Sequence, residues 1–106
     1  MRDRLTLAID VGTGSVRAAL MASDGTIAAV ASCEQAQIVA RFGWSEQSPQ
    51  AWWDGVTTSV RQLLDRDPGA ARRIGAVVAC GQMHGTVLVD ANGQLVRETA
   101  ALWNDK

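Results

Sequence analysis

Two short apolar runs joined by a glycine-rich turn are the feature that most constrains this chain. Leu5 to Val11 is aliphatic and β-branched, and Val16 to Met21 repeats that character after Gly12-Thr13-Gly14-Ser15. Runs of this length favour strands, and the short turn favours an antiparallel pair. A third run, Thr26 to Cys33, follows Asp24-Gly25, a dipeptide typical of hairpins because glycine accepts positive φ. The first third of the chain therefore predicts an antiparallel meander.

A helix is predicted between residues 48 and 68. Ser48-Pro49 gives its start, because serine caps free amides and proline fits the first turn, where its missing N–H has no partner anyway. Pro68-Gly69 predicts its end. Adjacent Trp52 and Trp53 cannot both face inward fully, so we expect one in the core and one at a boundary, both structural. Apolar residues recur every three or four positions: Trp52, Trp53, Val56, Val60, Leu63 and Leu64.

Further strands follow the helix. Ile74 to Cys80 is almost entirely apolar, which predicts a central strand covered on both faces rather than an edge strand. Val87 to Val89 and Gln94 to Val96, on either side of Asp90-Ala91-Asn92-Gly93, predict another hairpin, and Ala100 to Trp103 is a last apolar stretch. The predicted class is α/β, a ribonuclease-H-like unit whose mixed sheet has an antiparallel meander, then a helix and a parallel strand.

The composition indicates an ordinary globular domain. The chain has 106 residues, 47% hydrophobic and 20% charged, with a formal net charge of −1. Its basic residues are scattered apart from Arg72-Arg73, so nothing favours nucleic acid or an anionic membrane. Cys33 and Cys80 form no CxxC pattern, which indicates neither a metal site nor a disulfide framework. The first apolar run is too short for a signal peptide or a membrane span, and we expect a cytoplasmic protein.

The segment from Ile9 to Arg17 carries the chemistry. Gly12-x-Gly14 is not a dinucleotide fingerprint, because Arg17 stands where the third glycine belongs and a strand pattern follows. The sequence also has no Gly-Lys-Ser or Gly-Lys-Thr of a Walker A loop. A Gly-Thr-Gly-Ser turn can aim backbone N–H groups and two hydroxyls at one anion.

Two charged residues flank this turn. Asp10 would hold Mg²⁺ through water, because Mg²⁺ keeps much of its hydration and is usually bound by one or two carboxylates plus phosphate. Arg17 would offset phosphate charge. On spacing alone, a plain β-turn with a solvated Asp and Arg is an equal alternative.

Four motifs in order resemble a known family over the whole chain: Ile9-Asp10-Val11-Gly12-Thr13-Gly14-Ser15 with Arg17, Gly43-Trp44-Ser45-Glu46-Gln47 with Pro49 and Trp52-Trp53, Gly81-Gln82-Met83-His84-Gly85, and Leu102-Trp103-Asn104-Asp105. They are similar to the amino-terminal part of the FGGY carbohydrate kinases and, within that family, to the xylulokinases. The resemblance implies an actin-like, two-domain ATPase fold in which ATP and sugar meet between the domains. Residues 1–106 would be part of the N-terminal domain, without the C-terminal domain.

The same resemblance implies roles for single residues. ATP and Mg²⁺ are the implied cofactors, and a sugar is the implied substrate. The proton-accepting Asp of the family lies downstream of residue 106, so residues 1–106 alone are expected to be inactive. The first phosphate-binding segment would be Asp10, Gly12, Thr13, Gly14, Ser15 and Arg17, and the sugar would be contacted by Gln82, Met83, His84, Trp103, Asn104 and Asp105.

Several alternatives stay open at this point. Many family members have Gly-Thr-Ser or Gly-Thr-Thr where this chain has Gly12-Thr13-Gly14, a variation also found in ribulokinase-like and autoinducer-2-kinase-like branches, so the sugar is not fixed. A lone histidine such as His84 is more often structural without the family context. Trp44 is equally compatible with packing and with a sugar pocket. An actin- or chaperone-type ATPase and a sugar-responsive regulator are rival functions, and a homodimer is one expected state of the intact protein.

Overall fold

The computed structural model describes residues 4–35, 46–81 and 87–101. Its longer elements are three consecutive strands, a helix of 18 residues and a further strand. In chain order the elements are β1 (Leu5–Val11), β2 (Ser15–Ala22), β3 (Ile27–Glu34), β4 (Glu46–Gln47), α1 (Pro49–Arg66), α2 (Ala70–Arg73), β5 (Ile74–Gly81) and β6 (Ala100–Ala101).

The main sheet has the strand order β3-β2-β1-β5. β1 pairs with β2 and β2 with β3 in antiparallel register, which confirms the predicted meander. β5 returns parallel to β1 after the helix. Gly25 has φ +88° in the turn between β2 and β3, as the Asp-Gly dipeptide predicts. The mixed sheet therefore has the antiparallel meander and the parallel strand that the sequence predicts.

The helix α1 begins and ends where its capping residues predict. Ser48 is its N-cap, with its side-chain oxygen accepting a hydrogen bond from the Ala51 N–H at 3.3 Å, and Pro49 is its first residue. The helix ends at Arg66, two residues before Pro68. It packs mainly on β2 and β3. The core between the helices and the sheet consists of Leu5, Leu7, Ala18, Leu20, Ala31, Leu63 and Ala70.

The prediction that residues 74–80 form a covered central strand is wrong for the described part of the chain. β5 is an edge strand of the described sheet, and its residues after Ile74 are exposed. Val77 and Val78 point to opposite faces and are 61% and 58% exposed. The physical reason is that α1 lies over β2 and β3, so the described residues supply no layer over β5.

The remaining described residues form short pairings. Val89 and Leu95 make a single antiparallel bridge around a turn in which Gly93 has φ +79°, so the predicted hairpin is confirmed in reduced form. β4 pairs antiparallel with β6, a contact that the sequence did not predict. Trp53 is 63% exposed and Trp52 is half-buried, so the prediction that one of the two tryptophans lies in the core is wrong. None of the described helices is long and apolar enough to cross a membrane.

Candidate functional site

A row of polar side chains crosses the four strands beside the β1–β2 turn. Asp10 on β1 is the register partner of Arg17 on β2 and of Cys80 on β5, and Arg17 is the partner of Ser32 on β3. The neighbouring residues Val16 and Ala18 are buried on the helix side of the sheet, so this row lies on the opposite face. The fold thus brings the predicted acid and cation together next to the predicted turn.

Three carbonyl groups of the turn, those of Thr13, Gly14 and Ser15, are hydrogen-bonded within the protein. The Gly12 N–H donates to the Ser15 carbonyl at 2.9 Å, and the Gln35 N–H donates to the Gly14 carbonyl at 3.0 Å. The Gln47 side-chain amide donates to the Thr13 carbonyl at 2.7 Å. The peptide bonds are trans, so the Gly14 N–H points opposite to the Thr13 carbonyl and therefore away from Gln47. The Gly14 N–H therefore faces outward at the tip of the turn and can donate a hydrogen bond to a ligand.

Space for a ligand lies next to this tip. A depression of about 690 Å³ is lined by Gly14, Ser15, Arg17, Ser32, Glu34 and Gln35. A Cβ built on Gly14 would meet no atom within 4 Å, so a side chain there would extend into open space at the tip. Glu34 places a negative charge on the same depression, whereas Arg17 and the hydroxyls of Ser15 and Ser32 favour an anion. The donor set fits a phosphate group approaching from the Gly14 and Arg17 side.

Asp10 is an exposed carboxylate with a thiol as neighbour. Cys80 Sγ donates a hydrogen bond to Asp10 Oδ1 at 3.6 Å. The negative charge of Asp10 raises the pKa of the Cys80 thiol, with smaller contributions from desolvation and from that hydrogen bond. Among the described residues no group of three or more His, Cys, Asp or Glu could hold a metal ion. A single carboxylate suits Mg²⁺ that takes its other ligands from water and phosphate.

Sequence reasoning missed a buried polar cluster behind the turn. Gln47 is 1% exposed, and its side-chain oxygen accepts a hydrogen bond from Trp52 Nε1 at 2.8 Å. Its neighbour Glu46 is 5% exposed, ion-paired with Arg97 and hydrogen-bonded by Thr99 Oγ1 at 2.9 Å. The available signal was that both residues belong to the second motif, but no role was inferred for either.

The predicted sugar-contacting residues lie outside the part of the chain that the structure describes. β5 ends at Gly81, which is the register partner of Val11, immediately before the turn. The carboxyl end of β5 therefore lies at the same end of the sheet as the turn. The predictions for Trp44, Gln82, Met83, His84, Trp103, Asn104 and Asp105 fall on undescribed residues.

Known proteins are similar to this chain in sequence and fold. Residues 5–106 match the N-terminal domain of the FGGY family of carbohydrate kinases. A xylulose kinase of Klebsiella pneumoniae is 38% identical over 101 residues, 93% of this chain and 20% of that protein. A glycerol kinase of Bradyrhizobium sp. (strain ORS 278) is 40% identical over 101 residues, 94% of this chain and 20% of that protein. The chain thus spans about a fifth of the length of these relatives.

A solved structure supports the same comparison. The crystal structure of xylulose kinase from Rhodospirillum rubrum has a TM-score of 0.91 and 28% identity to this chain. The match covers 97% of this chain and 21% of that one. This likeness confirms the predicted ribonuclease-H-like, actin-like fold class.

Proposed function

Because the chain belongs to the FGGY family of carbohydrate kinases, we propose that the full-length protein transfers the γ-phosphoryl group of ATP to a hydroxyl of a ketose or polyol. D-xylulose is the first candidate, since xylulose kinases are among the relatives in both sequence and structure. Residues 1–106 would be part of the N-terminal domain of a two-domain enzyme. In line with this, the chain spans about a fifth of the length of its relatives.

The observation that carries this proposal is the arrangement at the end of the β1–β2 hairpin. Asp10 and Arg17 are register partners on one face of the sheet, beside the turn. The Thr13 and Gly14 carbonyls of this turn accept hydrogen bonds from other residues of the protein. A phosphate tail needs N–H donors and a cation, and a metal needs a carboxylate. The hairpin supplies these groups within a few residues of each other.

The residues of the hairpin then have separate roles in binding the phosphates and the metal ion. Phosphoryl transfer requires little covalent chemistry from the protein, so alignment and charge neutralisation dominate. The Gly12–Ser15 turn binds and orients the phosphates, and Arg17 offsets their negative charge. Asp10 would hold Mg²⁺ through water, and that ion, when bound, neutralises charge on the transferring phosphoryl group.

The acceptor would be held by residues outside the described ranges. By the family resemblance we assign sugar contact to Gln82, Met83 and His84, and closure of the same pocket to Trp103, Asn104 and Asp105. The end of β5 at the turn-bearing edge of the sheet supports this, because open α/β sheets bind ligands beyond the carboxyl ends of their strands. The general base would come from the chain downstream of residue 106.

Glycerol is a second candidate acceptor. A Bradyrhizobium relative described as a glycerol kinase is 40% identical to this chain, as similar in sequence as the xylulose kinases. Glycerol and D-xylulose both present hydroxyls to an in-line phosphorus, so the hairpin serves either one. A panel of D-xylulose, other pentuloses, glycerol and related polyols, assayed by ADP release with full-length protein, separates them. Turnover with none of these acceptors would contradict the proposal.

Replacing Asp10 tests the assignment of the hairpin. In the full-length protein, Asp10→Ala should lower kcat by about a hundredfold to a thousandfold, the loss typical when one charge-stabilising group is removed. Its thermal midpoint should stay near that of the wild type, because Asp10 is exposed. Asp65→Ala, which removes an exposed carboxylate on α1, is the matched control and should keep wild-type turnover. An Asp10→Ala enzyme of wild-type rate would remove Asp10 from the mechanism.

Residues 1–106 on their own should show no kinase activity. The proposed general base is outside them, and half of the proposed cleft would be open to water. Sugar-dependent ATP turnover by the purified 1–106 polypeptide would contradict this assignment.

A further inference from the structure

We propose that Gln47 is a positioning residue that holds the Gly12–Ser15 turn in its phosphate-binding shape. This inference rests on the proposed function, because it assumes that the turn binds the ATP phosphates. Gln47 lies on β4, 34 positions from Thr13 in the sequence, and its side chain reaches the turn from the protein interior.

Both polar atoms of the Gln47 side-chain amide make hydrogen bonds. Its nitrogen donates to the Thr13 carbonyl at 2.7 Å, and its oxygen accepts from Trp52 Nε1 at 2.8 Å. An indole N–H only donates, so the Trp52 contact requires the amide oxygen on that side and leaves the amide nitrogen facing Thr13. The side chain is 1% exposed, so water does not compete for these bonds. Trp52 therefore sets the orientation that makes Gln47 a donor to the turn.

The backbone that carries Gln47 is itself held in place. β4 pairs with β6, where Gln47 is the register partner of Ala100. The adjacent Glu46 is buried and bonded to Arg97 and to Thr99 Oγ1. Gln47 thus links the β4–β6 ladder to the Thr13 carbonyl, in a turn that contains two glycines and is also held by the Gly12–Ser15 hydrogen bond.

The bond to Thr13 decides where the turn presents its donor. The Thr13 carbonyl and the Gly14 N–H belong to one planar trans peptide and point in opposite directions. Holding the carbonyl inward therefore holds the Gly14 N–H outward. Removing the Gln47 bond takes away one restraint on this peptide, so the Gly14 N–H should point outward for a smaller fraction of the time.

The test compares three variants of the full-length protein. Gln47→Met keeps the length of the side chain and removes both bonds, and it should raise the KM for ATP about five- to tenfold, the loss expected for one neutral hydrogen bond. The KM for the sugar should stay unchanged. Trp52→Phe leaves the donor to Thr13 in place and should have a smaller effect on ATP. Leu63→Val, a change in the core away from the turn, is the control for lowered thermal stability.

A second measurement reads the turn without any substrate. Hydrogen exchange of the segment from Asp10 to Arg17 should be faster in Gln47→Met than in Leu63→Val. Unchanged exchange, or faster exchange with an unchanged KM for ATP, overturns the inference. Loss of activity shared equally by Gln47→Met and Leu63→Val also overturns it, since that is only a stability effect.

Failure of the proposed function gives a different result. If the wild-type protein does not bind Mg·ATP in calorimetry, the phosphate-binding role of the turn is wrong, and the positioning role for ATP is wrong with it. If the wild type binds Mg·ATP and Gln47→Met binds it equally well, only the role of Gln47 is wrong.

Discussion

Asp10 and Cys80 meet across the boundary between β1 and β5, 70 positions apart in the sequence. The carboxylate raises the pKa of the thiol because a thiolate beside it would be a second negative charge. Cys80 therefore stays protonated to a higher pH than an ordinary cysteine and remains a donor to Asp10. Although Cys80 is exposed, its thiol is a poor nucleophile near neutral pH.

Removing the charge of Asp10 should make Cys80 more reactive. In Asp10→Asn the pKa of the thiol falls toward its ordinary value, so at about pH 8.5 more thiolate is present and alkylation by iodoacetamide is faster. At pH values well above both pKa values the two proteins hold the same thiolate, so the ratio of the two rates should fall toward one. Mass spectrometry of the Cys80 peptide measures the rate. Cys33, on β3 and paired with Val16, is the internal control, and equal Cys80 rates in both proteins would contradict the assignment.

The sequence predicts contacts of the site that are local and misses those that are remote. Asp10 and Arg17 flank one short turn, so two strands and a hairpin suffice to make them register partners. Cys80 reaches Asp10, and Gln47 reaches Thr13, only after the chain has folded over itself. Hydrophobic patterns report which side chains are buried but carry no information on such pairings.

The helix α1 shows the same division at the scale of an element. Its two ends depend on local signals, Ser48 and Pro68, and both were predicted correctly. Its buried face was predicted less well, because the fully buried helix residues are Gly55, Ser59 and Leu63. Two of these three are small and not apolar, and Ser59 Oγ lies 3.4 Å from the Val16 carbonyl. The small residues let the helix backbone approach β2 closely, so large apolar side chains are not needed at this contact. The periodicity of apolar residues in the sequence does not reveal such a close approach.

Enlarging Gly55 should destabilise the protein, against the usual effect in helices. A Cβ on Gly55 would lie 2.7 Å from Gln35 Nε2 and 2.9 Å from Val16 Cγ2, closer than such atoms pack. Gly55→Ala is therefore expected to cost about 1–3 kcal/mol of unfolding free energy, whereas alanine at an exposed helical glycine gains about 1 kcal/mol.

Urea unfolding measures the effect of Gly55→Ala. Thr58→Ala, on the exposed face of the same helix, is the matched control and should gain about 0.5 kcal/mol from helix propensity. A Gly55→Ala protein more stable than wild type would show that the helix does not pack this closely on β2.

Across the whole molecule, the described residues leave one side of the sheet without a covering layer. β5 is an apolar strand at the edge of the described sheet, and Val77 and Val78 are both more than half exposed. The sequence predicted a covered strand because Ile74 to Cys80 is almost entirely apolar. This chain covers about a fifth of the length of the xylulose kinase and glycerol kinase relatives. The fold class was predictable from element order, but the position of β5 at the edge of the described sheet was not.

The isolated polypeptide of residues 1–106 should therefore self-associate through β5. An exposed apolar edge strand offers unpaired N–H and C=O groups together with apolar surface, which favours pairing between copies. Sedimentation velocity at micromolar concentrations should detect oligomers, and Val77→Lys with Val78→Lys should shift the polypeptide toward monomer by charging both faces of the strand. Thr58→Lys with Gln62→Lys adds the same charge on the exposed side of α1 and should leave association unchanged. A monomeric wild-type polypeptide, or equal loss of association in both double variants, would show that β5 is not the contact.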